Sequence, residues 1–150
     1  MRSFLILAAL ATSSAILLAQ AAPIKMGLWE KKIVTSNGVG TPSTMNAKSC
    51  INPAAWQEML AQMSKQHEGC TMNNVKNAHG YTYNGSCTLS HGTTMVINGT
   101  LTIQDDQHIV SESHTTTTTN GKKGQMDSHS TSTFLSADCG KIKPGEPEIE

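Results

Sequence analysis

Apolar and polar positions follow two different periods along the chain. Trp56, Met59, Leu60 and Met63 recur at i, i+3, i+4 and i+7, which predicts one apolar stripe on a helix of about three turns. Asn52 supplies an N-cap, and Pro53 suits the first turn, where a missing N–H costs nothing. Gly69 lets the chain turn out before Cys70. Elsewhere the period is two. Met95, Ile97, Leu101 and Ile103 alternate with Val96, Asn98, Thr100 and Thr102, the pattern of a half-buried strand. Gly99 interrupts the apolar face and reads as a bulge.

Met26 to Thr35 reads as the first strand, although Leu28 and Trp29 fall on opposite faces, as do Ile33 and Val34. Asn37 to Pro42 is a loop, and Ser43 to Cys50 a second, polar strand leading to the helix. Ile109 to Thr119 is rich in β-branched threonine, which suits a pleated sheet. Gln125 to Leu135 is the last strand, and Asn120 to Gly124 the turn before it. A three-residue loop at Asp105 to Gln107 pairs Ile103 with Ile109. A two-residue loop at Gly121-Lys122 pairs Ile109 with Phe134 and His114 with His129. The first loop lacks its preferred glycine, and a slip of one residue would reverse the faces.

The cysteines add a constraint. With Asn77 to Gly80 as a four-residue loop, Lys76 faces Tyr81, and the same register brings Cys70 opposite Cys87, close enough for a disulfide. Four cysteines allow three connectivities, and sequence alone does not settle among them. The hairpin register favours Cys70 with Cys87, which leaves Cys50 with Cys139. Aromatic residues are few, at 4% of the chain, so the core is thin. Each disulfide would then contribute about 2–4 kcal/mol. No Cys-x-x-Cys occurs to lower a thiol pKa, which favours structural over redox cysteines.

Residues 1–21 read as a cleaved signal peptide: Arg2, an apolar run from Phe4 to Leu18, and the small-x-small site Ala19-Gln20-Ala21. The expected location is therefore an oxidising compartment outside the cytoplasm, with a single β-rich domain over 22–140 and a disordered tail over 141–150. The formal net charge is +0, and loss of Arg2 tips it slightly negative. Without a basic stripe, nucleic acid is not an expected partner. The mature chain offers no apolar run for stable membrane insertion.

Gly27-Leu28-Trp29-Glu30 after an export signal, Cys50-Ile51-Asn52-Pro53 opening a short helix, then Cys70, Cys87 and Asp138-Cys139-Gly140 together resemble the domain of unknown function 3617 family. The resemblance spans the mature chain. It implies export to a Gram-negative periplasm and a β-rich fold, and it brings no catalytic residues with it. Many members carry a Met-Pro-rich loop after the first strand, of which Thr41-Pro42-Ser43-Thr44-Met45 is only a faint counterpart.

Candidate chemistry is sparse. His114 and His129, with Glu112 and Asp127 nearby on the same face, are the residue types of a zinc or copper site. No His-x-His or His-x3-His spacing supports it, and exposed histidines are usually solvated surface. Met59, Met63 and Met95 lie on apolar faces and read as core filling rather than copper ligands. Ser111, Glu112 and His114 are hydrolase residue types without a Gly-x-Ser-x-Gly elbow, and Asp105-Asp106 sits in a turn. The sequons at Asn84-Gly85-Ser86 and Asn98-Gly99-Thr100 read as turn or bulge chemistry.

The expectation is a mainly β (α+β) domain: a curved antiparallel meander of about six or seven strands, with room for partial closure into a barrel, one packed helix and two disulfides. The expected function is non-catalytic and cofactor-free, a binding or envelope-accessory module for a small apolar ligand, a peptide or an envelope protein. The alternative is a metal-handling protein using His114 and His129.

Overall fold

The structure, a computed structural model, describes residues 23–149. The signal-peptide reading of 1–21 lies outside them. Asn52 caps the single α-helix, α1 (Pro53–Gln62), by accepting the Ala55 N–H at 2.8 Å through its side chain. Trp56 on the predicted stripe is fully buried, and Met59, Leu60 and Met63 pack around it. Past Gln62 the carbonyls of Ala61 and Gln62 accept from Ser64 and Lys65, tighter bonds that end the helix.

Eight strands form one antiparallel sheet: β1 (Gly27–Ser36), β2 (Ser43–Ile51), β3 (Cys70–Asn77), β4 (Gly80–Thr88), β5 (Thr93–Ile103), β6 (His108–Thr119), β7 (Lys122–Ser136) and β8 (Glu148–Ile149). Their spatial order is β3-β4-β5-β6-β7-β1-β2-β8. The meander of β3 to β7 is thus extended by the N-terminal hairpin, with β1 beside β7. The sheet has eight strands rather than six or seven, and it is open rather than partly closed into a barrel. Its edges are β3, which pairs with β4 alone, and the two-residue β8. Among the described residues, no helix is long and apolar enough to cross a membrane.

Both expected disulfides are present, Cys50–Cys139 and Cys70–Cys87, the latter joining residues directly opposed in β3 and β4. Ile103 faces Ile109 as predicted. No residue of that turn has a positive φ, so it needs no glycine; the Asp105 carboxylate accepts the Gln107 N–H at 2.7 Å. That bond and the His108 ring hold the Asp105 carboxyl below its ordinary pKa.

Two readings need correction, the β6–β7 turn and the bulge at Gly99. The β6–β7 turn is Asn120-Gly121, with φ of 50° and 77°, so Thr119 faces Lys122 and Ile109 faces Ser132, not Phe134. Asn-Gly is the preferred pair for such a left-handed two-residue turn. The irregularity lies between β1 and β7, where Leu28 faces Ser136 but Trp29 faces Phe134, so that Leu135 of β7 is the extra residue and β1 stays in continuous register with β2. At Gly99 the ladder is continuous and faces Tyr83; a Cβ there would overlap the Tyr83 ring. Beyond Cys139, β8 pairs with Ala47 and Lys48, and the Gly145 N–H bonds the Cys50 carbonyl at 3.2 Å. The Cys50–Cys139 bond brings the tail to this edge, where unpaired β2 groups accept it.

The core lies on the face that α1 covers, and comprises Ile24, Trp29, Trp56, Leu101 and Ile109. Gly80 starts β4 at φ +147°, a conformation closed to L side chains, and a Cβ there would overlap the Leu101 carbonyl oxygen. Gly80→Ala should therefore cost about 3 kcal/mol, read as a lowered urea midpoint; an unchanged midpoint would contradict the strain assigned to this position.

Candidate functional site

Alternation divides the sheet into two unlike faces. On the inner face, β6 and β7 present serines where a core would carry aliphatic groups: Ser111 faces Ser130, and Ser132 faces Ile109. In β1, Lys31 faces Ser132 on the same side. These small side chains leave a cleft of about 520 Å³ between α1 and the sheet. Trp29, Leu101 and Ile109 form its apolar floor, and Met59 and Met63 its roof from α1. Glu58 and Gln62 reach it from the helix, and Gly145 and Pro147 from the tail.

Trp29 sets the depth of this cleft. It is 1% exposed, meets Phe134 edge-to-face at 5.8 Å between ring centres, and donates its indole N–H to the Lys25 carbonyl at 3.0 Å. The ring is therefore fixed at both its polar and apolar ends.

Lys31 is the charged group within the floor. It is half-buried, and burial lowers its pKa from the ordinary lysine value. Among the described residues, no hydrogen bond or ion pair joins its ammonium to another side chain.

The outer face carries the sequence-predicted site residues. The two-residue shift in the β6–β7 register leaves them on one face but changes their partners. His114 faces Asp127, and His129 faces Glu112, instead of one histidine facing the other. The result is two separate exposed pairs: His114 Nδ1 to Asp127 Oδ1 at 2.6 Å, and His129 Nδ1 to Glu112 Oε1 at 3.3 Å. They border a broad, open groove of about 630 Å³ with Val34, Asn84, Asn98 and Thr100. Among the described residues, no group of three or more His, Cys, Asp or Glu side chains could hold a metal ion.

The residues that sequence reasoning missed are Lys31, Ser111 as a cleft residue, Ser130 and Ser132. A signal for them existed. In an alternating strand one of Lys31 and Lys32 must face inward, and Ser128, Ser130 and Ser132 recur at every second position of β7.

Comparison with known proteins places these features in context. A family model described as a protein of unknown function, DUF3617, matches residues 24–139. No curated protein matches the chain. A solved structure, that of the S-type phycobiliprotein lyase CPES from Guillardia theta, aligns with a TM-score of 0.40 at 10% identity, covering 74% of this chain and 88% of that one.

Proposed function

We propose, for a chain that belongs to the DUF3617 family of proteins of unknown function, a role as a binding protein that holds a small, largely apolar molecule between α1 and the sheet. The observation that carries this reading is the cleft of about 520 Å³, with Trp29, Met59, Met63, Leu101 and Ile109 on its walls and a few polar groups among them. Ligand sites are typically of this composition and of roughly 300–1,000 Å³. The outer-face histidines support a metal less well, because each is paired with one carboxylate.

The role is a non-catalytic one. A serine becomes a nucleophile through a base within hydrogen-bond reach, and among the described residues no such bond links Lys31 to Ser111, Ser130 or Ser132. The site of action is the periplasm, a compartment in which two disulfides persist.

Titration with the neutral fluorophore N-phenyl-1-naphthylamine tests the reading. Saturable enhancement at one molecule per chain is expected, with Trp29 emission quenched. Ser111→Phe fills the cleft and should weaken binding by at least roughly tenfold, equivalent to about 1.4 kcal/mol. Unsaturable enhancement, or weakening by His129→Ala instead of Ser111→Phe, would exclude the inner cleft.

A further inference from the structure

Resting on that reading, we propose that the ligand is a single-chain aliphatic carboxylate, its chain lying between α1 and the sheet and its carboxylate held by Lys31. Three observations converge on this chemistry. The walls are apolar over most of their extent, which suits an alkyl chain. Lys31 stands on the inner face beside Ser132, the residue it faces across the β1–β7 ladder. Its ammonium has no anionic partner among the described residues, and a cation removed from water without one is costly.

An entering carboxylate supplies the missing charge at one stroke. Lys31 offers three donors, and the Ser132 hydroxyl a further one beside it. One ammonium matches one negative charge, so the site suits a monoanionic carboxylate rather than a more highly charged head group. Glu58 also borders the cleft, from α1. It makes no ion pair with Lys31, and its own negative charge disfavours a second anion at the helix side. The carboxylate end is therefore directed towards the sheet floor.

The pairing also has a pH signature. Only protonated Lys31 attracts the carboxylate. Burial lowers the Lys31 pKa from 10.5, so affinity for the anion falls as pH rises through the Lys31 titration, beginning below 10.5. Glu58 and Tyr83 are the other titratable groups on the cleft wall. A neutral ligand of equal length isolates the Lys31 contribution.

The test compares dodecanoate, below its aggregation concentration, with dodecanol by Trp fluorescence and calorimetry on the full mature chain. Dodecanoate should bind on the order of tenfold more tightly than dodecanol at pH 7.5. Lys31→Met should erase that preference while leaving dodecanol binding in place, and Lys31→Arg should keep it. The preference should also shrink as pH is raised. Equal affinities in the unaltered protein, or a dodecanoate preference that survives Lys31→Met, would overturn the carboxylate anchor while leaving the apolar cleft intact. Binding of neither molecule would overturn both.

Discussion

Replacing Cys50 and Cys139 together by alanine should lower stability by about 4.5 kcal/mol, the larger loss of the two disulfides. The reason is loop length. Their bond spans a sequence separation of 89, against 17 for Cys70–Cys87. A cross-link removes disorder from the unfolded chain in proportion to the logarithm of the loop it closes, which gives about 3 kcal/mol for the shorter one. Against a net stability of roughly 5–15 kcal/mol, either loss is large. The longer bond also anchors the segment that delivers Gly145 and Pro147 to the cleft. Urea unfolding of the two alanine pairs would show the order directly. A greater loss from the Cys70–Cys87 pair would mean that loop entropy is not what these bonds chiefly contribute.

The second large effect is expected at Trp29. Trp29→Ala should cost about 3–5 kcal/mol through lost burial and the void left behind. It also removes the edge-to-face contact with Phe134 and leaves the Lys25 carbonyl without its indole donor. Trp29→Phe separates these contributions. It retains a ring against Phe134 but loses the donor, and should cost about 1–2 kcal/mol. Unfolding midpoints of the two variants check the ranking. A loss below about 1.5 kcal/mol for Trp29→Ala would show that the β1 core relaxes around the gap.

Local features of this fold were the legible ones. The α1 stripe, the Asn52 cap and the β3–β4 register each depend on residues close in sequence, so a period or a turn length specifies them. The β6–β7 register was misread because Asn120-Gly121 and Gly121-Lys122 are overlapping two-residue turns. Choosing the wrong one moved every partner by two. An even slip keeps each side chain on its face, which is why the four outer-face residues were grouped correctly but paired wrongly.

The cleft was harder to read for a different reason. Lys31 looks like half of a solvated Lys31-Lys32 pair until β7 is known to lie beside β1 and α1 above it. Alternation turns one of the two lysines inward, but which one, and what covers it, is set by tertiary packing. The contacts of the tail likewise depend on the distant Cys50 and β2.

The strand order has a kinetic consequence. β1 and β2 are made first during synthesis, yet β1 gains its second neighbour only when β7, about a hundred residues further along, has joined the meander. Until then one side of β1 offers unpaired N–H and C=O groups, a template for pairing with another chain. Such high contact order places folding towards the slow, millisecond-to-second end of the range for small domains. Protection of the early hairpin, whether by a chaperone or by dilution, should therefore govern yield more than the stability of the finished sheet does.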